Sequence, residues 1–583
     1  MQTLKSALQA IIMQKQLLYL LFIVFSVSAF ARKTTVTNAS AINNGSWSSG
    51  DTIVMKNGTW TNQTISINAT GTQLQPVVLQ AEKEGNVILN GSSKLTIGGS
   101  YIVVSGLYFL NGTLSGSAVV EFRSNKDATN CTLKNTAIVN YNPALNTVDS
   151  KWVSIFGKNN TVDRCSFENK TNSGTLLVVW LTSGVTVNHA ITNNYFGFRN
   201  SNLDANGDEL NGQEIIRVGD SNTSMTTANV TVSGNFFEKC NGEIEVISNK
   251  SCGNLYSNNL FLECKGMLTL RHGNNCTVAG NYFFGNGVSE SGGVRIIGEN
   301  HKVYNNYFEN LKGTGYRAAL CMVRGKENSA LNEYFQVKNA LVAFNTMVNC
   351  AQAFSINYNS SSSLTLPPIN SVIAHNHVYN TNSNNNNVTV DQNYVTGMSV
   401  TWKNNLMNLG KYSDFSYNST QVITGKDAKM TLIGTKINMY EPISTTALST
   451  YVTNEYNDFV TDIRGRNRIL SSKLPGASDI NGNVSASMPE KKLVGAAFFN
   501  NPTTGISTVF LNEVMKFKIA NNKVQFYSNL KGILSIVNLS GTCVYQTNMV
   551  PDGNYVVQLE KAVYLFSFKA ENKIATQKII INE

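Results

Sequence analysis

Through the middle of the chain a short motif recurs in which an Asn precedes two apolar residues. It reads Asn194-Tyr195-Phe196, Asn235-Phe236-Phe237, Asn259-Leu260-Phe261, Asn281-Tyr282-Phe283 and Asn306-Tyr307-Phe308, with looser copies from Asn135, Asn345, Asn376 and Asn405. From Asn235 the steps are 24, 22 and 25 residues, the others from Asn194 onward stretch to between 29 and 41, and Asn135 stands 59 residues ahead of Asn194. Ahead of the copies lies alternating sequence such as Val230-Thr231-Val232, which is strand-like, and helical periodicity is nearly absent. One strand-built unit every two dozen residues predicts a solenoid, here a parallel β-helix. Asn at its bends fits that residue's tolerance of left-handed backbone.

The pattern also divides the chain. Gly50-Asp51-Thr52-Ile53-Val54 through Trp60 marks the opening rung and cap, and the repeats fade after about residue 410. We therefore expect the β-helix over 32–470 and a linker over 471–495, where Asn, Gly, Ser and Pro collect. Residues 496–583 hold short alternating runs, among them Gly532-Ile533-Leu534-Ser535-Ile536-Val537, which predict a small C-terminal β-sandwich. At the other end, Lys5 and Lys15 precede an apolar run from Leu17 to Phe25, and Ala29-Phe30-Ala31 offers a small-x-small cleavage site. Residues 1–31 thus predict a signal peptide whose apolar run is too short to span a bilayer. A secreted or cell-surface protein without a transmembrane helix follows.

Composition sharpens this picture. Only 14% of the 583 residues are charged, yet 23 Tyr and 27 Phe are present, so the chain has the aromatic content of a folded protein and not of a disordered one. Net charge is +10, or 10 − 2 = +8 once the two lysines of 1–31 are removed. A basic exported protein with few aromatic–basic clusters points to an acidic polymer outside the cell and away from nucleic acid. Nine cysteines would suggest disulfides, but Cys240, Cys252, Cys264 and Cys276 fall every 12 residues. Equivalent positions in successive rungs stack, so they are expected as buried free thiols in a ladder.

Aligned rungs expose one charged face. In Gly242-Glu243-Ile244-Glu245-Val246, alternation sends Ile244 and Val246 inward and both carboxylates outward. In Met267-Leu268-Thr269-Leu270-Arg271 it sends Leu268 and Leu270 inward, Thr269 and Arg271 outward, and Arg217 and Arg295 join that face from neighbouring rungs. Two carboxylates on a rigid strand could hold a hard cation. A lattice of surface ion pairs among Glu243, Glu245, Arg217 and Arg271 explains the same alternation.

Three blocks, Asn211-Gly212-Gln213-Glu214-Ile215-Ile216-Arg217-Val218-Gly219, Gly242-Glu243-Ile244-Glu245-Val246-Ile247-Ser248-Asn249-Lys250-Ser251 and Leu268-Thr269-Leu270-Arg271-His272-Gly273-Asn274, resemble polysaccharide lyase family 6 in order and spacing. That family contains alginate lyases and the dermatan-cleaving chondroitinase B. The resemblance spans roughly residues 40–470. It implies a right-handed parallel β-helix with Ca²⁺ at its site, held by Asn211, Glu243 and Glu245. It further implies Lys250 as base with Arg271 as catalytic partner, and Arg217, His272, Arg295 and Arg317 as substrate contacts. The expected substrate is an anionic uronate polysaccharide, alginate first and dermatan sulfate second, with a non-catalytic glycan-binding β-helix as the alternative outside enzymology. The last 75 or so residues, ending in Lys578-Ile579-Ile580-Ile581, resemble the C-terminal sorting domain of type IX secretion cargo. That implies type IX machinery as a partner and export from a Gram-negative bacterium.

Overall fold

A computed structural model describes residues 31–500, apart from 115, 117, 205, 208, 360, 425–429, 434–438, 443–452 and 481–482, and most of 515–581. The expected signal segment lies outside the described residues except for Ala31. Among the described residues no helix is long and apolar enough to cross a membrane.

The chain forms a parallel β-helix of three sheets with 14 strands each. Each full turn of chain adds one strand to every sheet. The first sheet runs from Lys33–Val36 to Val400–Lys403, the second ends at Lys411–Ser413, and the third runs from Gly58–Thr61 to Val422–Ile423. The coil thus begins one strand before the expected opening rung, because Lys33–Val36 pairs in parallel with Thr52–Met55. A helix of one turn, Ala39–Asn43, follows that strand and buries Ala39 and Ile42, with the Asn38 side chain accepting from Ala41 N at its start.

The recurrent motif has a precise structural meaning. Its Asn is not the bend residue: the left-handed position is the residue before it, as at Asn193 (φ 54°), Asn258 (φ 54°) and Asn305 (φ 54°). The motif Asn itself is fully buried. Asn235 Nδ2 donates to Asn259 Oδ1 at 3.0 Å, Asn259 Nδ2 to Asn281 Oδ1 at 2.9 Å and Asn281 Nδ2 to Asn306 Oδ1 at 2.9 Å. Each Oδ1 also accepts the backbone N–H of the Asn one rung below. An amide in the core is tolerable only when its groups are paired, and the ladder pairs them. The second aromatic forms a parallel stack inside the core, Phe196, Phe237, Phe261, Phe283 and Phe308, with centroids 4.5–4.9 Å apart.

Alternation points the first aromatic outward, yet Tyr195, Phe236, Tyr282 and Tyr307 are buried. They lie under a returning strap whose Met439, Ile463, Ala477 and Val494 pack on the outer face of the third sheet. This overturns the linker expected over 471–495. Lys473, Leu474, Ala477 and Asp479 are buried, Ala477 N donates to Thr346 Oγ1 at 2.8 Å, and Gly495 N donates to Asn193 O at 2.7 Å. Apolar residues at outward positions need a cover, and this polar-looking segment supplies it. Ala496 N still bonds Ser166 Oγ and Phe498 packs on Tyr108, so the first compact unit reaches Asn500.

The second unit, from Asn501, contains two antiparallel sheets. Met515–Ala520, Lys523–Ser528 and Asn554–Gln558 form one, and Gly532–Asn538, Cys543–Met549, Ala562–Ala570 and Lys573–Ile581 form the other. Val524, Phe526, Leu534, Ile536, Phe566 and Phe568 make their shared core, which is a small sandwich as expected.

All nine cysteines are free, eight of them buried. Cys240 and Cys264 share a ladder position, continuing the register that pairs Phe236 with Leu260 and Phe237 with Phe261. Cys252 and Cys276 do not. The register that pairs Leu255 with Thr277 sets Cys276 beside Asn254 and Cys252 beside Asn274, whose N–H lies 3.2 Å from the Cys252 Sγ.

Candidate active site on the second sheet

Four neighbouring strands of the second sheet, Ile216–Gly219, Glu245–Lys250, Met267–His272 and Val294–Ile296, form the floor of a cleft of about 390 Å³. Arg217, Ser248, Thr269 and Arg295 stand in register across them, so the two arginines share one outer face as alternation requires.

Two irregularities between the middle strands aim the side chains. Glu245 pairs with Met267 but Ile247 with Leu268, which leaves Val246 extra on one strand. Asn249 then pairs with Leu270 and Lys250 with His272, which leaves Arg271 extra on the other. A bulge breaks alternation, and here it lets the adjacent Arg271 and His272 both line the cleft. It also turns both Val246 and Ile247 into the core. Ile244, expected inside, is half-buried and lines the cleft instead.

Seven of the nine expected site residues come together in this cleft: Asn211, Glu243, Glu245, Lys250, Arg271, His272 and Arg295. Arg217 lies beside it, its guanidinium 5.3 Å from the Trp180 ring centroid. Arg317 is buried on the turn Gly315–Arg317 and is held elsewhere, donating to Lys265 O at 2.9 Å and facing Glu209 at 3.8 Å. Arg317 thus meets the cleft through Glu209, which lines it.

Glu243 and Glu245 are not surface carboxylates. They are 7% and 8% exposed, and with Glu214 at 2% they offer oxygens within 4.8 Å of one another. Glu214 carried no expected role, although the offset of 31 residues that pairs Ile216 with Ile247 sets it level with Glu245. Glu214 accepts from Thr175 Oγ1 at 2.7 Å, Glu243 accepts from Gly212 N at 3.0 Å, and Glu245 contacts Arg295. Burial pushes the Glu243 carboxyl up to about 8, with Glu214 and Glu245 adding repulsion. Three buried carboxylates crowded this closely are short of positive charge, and an all-oxygen set of this kind suits a hard divalent cation. Asn211 stands at the exposed rim of the same cluster, its Oδ1 accepting from Gly212 N.

Lys250 and its neighbours are arranged differently. Among the described residues Lys250 has neither a hydrogen bond nor an ion pair, so its amine is unengaged. Arg271 is held from above by a loop that sequence reasoning missed. It donates to Glu333 O at 2.9 Å and stacks on Tyr334 at 4.2 Å, and burial lowers its guanidinium from the ordinary value. No periodicity signals this loop, because it is an excursion between strands. His272 Nε2 lies 3.4 Å from Ser221 Oγ, and burial with Arg271 and Lys250 nearby lowers its imidazole to about 3, so it is neutral near pH 7.

The class of the protein is thus a parallel β-helix that carries buried carboxylates, an unengaged amine and a guanidinium in one lateral cleft. The sequence model of the family described as chondroitinase B matches residues 34–455, and the chain belongs to that family. Among solved structures, the family 6 alginate lyase AlyGC is 32% identical with a TM-score of 0.64, over 71% of this chain and 56% of that one. This chain therefore spans little more than half of AlyGC's length. A mannuronic-acid-specific family 6 lyase from human gut microbiota is 27% identical with a TM-score of 0.59, over 66% of this chain and 89% of that one. The family 6 polysaccharide lyase of Pseudopedobacter saltans is 25% identical with a TM-score of 0.59, over 80% and 99%. No curated protein matches the chain.

Proposed function

We propose that the chain is a polysaccharide lyase that cleaves an anionic uronate polymer by β-elimination, with alginate as substrate. The observation that carries this is the unengaged Lys250 amine beside the Glu214, Glu243 and Glu245 cluster and Arg271 in one cleft. These three carboxylates, with Asn211 at the rim, would hold Ca²⁺. When bound, the ion supplies the positive charge that neutralises a uronate carboxylate and acidifies the adjacent C5–H. Lys250 takes the C5 proton, the C–H electrons form the C4=C5 double bond, and the C4–O bond breaks. Only the neutral amine of a lysine can accept that proton. Arg271 keeps its proton, because a guanidinium scarcely gives it up, and stabilises the developing negative charge while water protonates the leaving oxygen. Neutral His272 and the cationic Arg217 and Arg295 orient the sugar. Arg317 would act through its hold on Glu209 and the loop at the cleft wall.

Alginate is favoured by the identities to AlyGC and the mannuronic-acid-specific lyase, and dermatan sulfate by the name of the matching family. Incubation with each polymer, following absorbance of the new double bond with and without a chelator, tests both. Absence of unsaturated product from every uronate polymer would refute the proposal. Export by the 1–31 signal and recognition of the C-terminal sandwich by type IX machinery complete the reading. Fusion of residues 501–583 to a reporter in a type IX-competent bacterium tests the latter, and a reporter retained inside the cell would refute it.

A further inference from the structure

Toward the N-terminal rungs, the face that carries the cleft continues as a column of stacked side chains. The Arg123 guanidinium lies 3.5 Å from the Phe156 ring centroid, Phe156 stacks on Trp180 at 5.9 Å and 12°, and Arg217 lies 5.3 Å from Trp180. Trp180 Nε1 donates to Ser154 Oγ at 3.3 Å, which fixes the indole. The register explains the column. Ile155 pairs with Val179 and Val179 with Val218, so Phe156 and Trp180 stand one rung apart and Gly219 takes the next place in their row. Gly219 in turn pairs with Lys250. At φ +81°, with a Cβ site only 2.5 Å from Lys250 O, it can carry no side chain, and the side chain of Leu181 borders that place between Trp180 and Lys250.

Charge and access agree with this direction. Glu121 and Asp149 pair with Arg123 and Lys151, whereas Arg217 has no ion pair or hydrogen bond among the described residues and its Nε is buried without a partner. A groove of about 220 Å³ runs beside Arg123, Lys151, Ser154, Phe156 and Trp180. On the opposite side of the cleft, Asn332 and Glu333 bring their carbonyls onto Arg271, and Arg324 is engaged by Asp391 at 2.6 Å.

We propose that the Arg123–Phe156–Trp180–Arg217 column is an extended binding site for the non-reacting uronate residues of the polymer, which runs from the cleft toward the N-terminal rungs. The proposal rests on the lyase function above. Three rungs at about 4.8 Å carry it roughly 14 Å from Lys250 to Phe156. The rings give apolar surface for the carbon faces of sugars, and guanidinium groups match carboxylates in a two-point geometry. Binding energy gained so far from the reacting bond appears only for substrates long enough to reach it.

The test is a chain-length series of uronate oligomers, with kcat and KM measured for wild type, Trp180→Ala, Trp180→Phe and Arg123→Gln. In wild type, kcat/KM rises with length. In Trp180→Ala the ratio of kcat/KM on long to short substrates falls about ten-fold, mostly through KM, and Trp180→Phe recovers most of it. Arg123 is exposed, so Arg123→Gln keeps the fold, and it lowers the ratio several-fold. An active wild type whose ratio is unchanged in both Trp180→Ala and Arg123→Gln would overturn the column as a binding site. So would losses equal on long and short substrates. A wild type that produces no unsaturated product would overturn the lyase function and this site with it.

Discussion

Removing divalent cations should make the stability of this protein fall as pH rises, and Glu243 sets the size of the effect. In the cation-free fold its carboxyl is held at about 8, against an ordinary 4.5. Below pH 4.5 Glu243 is protonated in both folded and unfolded chains and contributes no pH dependence. Between 4.5 and 8 the unfolded chain releases the proton while the folded chain keeps it, so stability declines throughout that window. At about 1.4 kcal/mol per pH unit, a rise of this size amounts to a few kcal/mol, on the order of 3–5 kcal/mol. Above 8 the loss from this group levels off. Calcium held by the cluster as proposed would reverse the sign, because the ion would bind the deprotonated carboxylates and stabilise the fold more as pH rises. Denaturation of chelator-treated protein between pH 4.5 and 8.5 measures the slope, and Glu243→Gln, which cannot titrate, should flatten it. Equal slopes in wild type and Glu243→Gln would refute the reasoning, as would a calcium stabilisation that shrinks toward high pH.

Three further outcomes follow from the fold. Asn281→Leu leaves the backbone N–H of Asn259 and one of its two Nδ2 hydrogens unpaired, at ~1–3 kcal/mol each, so denaturation should show a loss of roughly 2–6 kcal/mol, whereas Asn258→Gly at the left-handed bend costs little. A chain ending at Asn500 should stay folded and active, but one ending at Leu470 should melt earlier and aggregate, because Tyr195 loses its Lys491 partner and the outer face of the third sheet loses Ala477 and Val494. Thiol titration should find one reactive cysteine, Cys543, in the native protein and all nine after denaturation without reductant.

The repeat was legible in the sequence because its ladder positions recur with the same chemistry: Asn inside, then Phe inside. The strap was not, because residues 453–499 have no periodicity and their apolar contacts are single residues, Ile463, Ala477 and Val494, spread along polar sequence. A clue did exist in Tyr195, Tyr282 and Tyr307, which are aromatic at positions where alternation alone calls for polar residues. At the site, alternation correctly gathered Glu243, Glu245, Arg271 and Arg295 on one face. It failed at Ile244 and could not explain His272, since both lie beside bulges that shift the pattern by one residue. Glu214 was hidden by being read as part of a block and not aligned by rung. Tyr334 was hidden because a loop's contacts are set by tertiary structure and leave no spacing to read.

In the proposed function, Lys250 is the base of an elimination reaction at a cation-holding cleft. The most direct measurement is turnover of a uronate polymer by Lys250→Arg, with wild type and Lys250→Ala beside it and calcium binding monitored in all three. A guanidinium keeps the positive charge but cannot accept the proton at working pH. Lys250→Arg and Lys250→Ala should both bind calcium and polymer, yet form unsaturated product at least about 10²-fold more slowly than wild type. Near wild-type turnover by Lys250→Arg would contradict it.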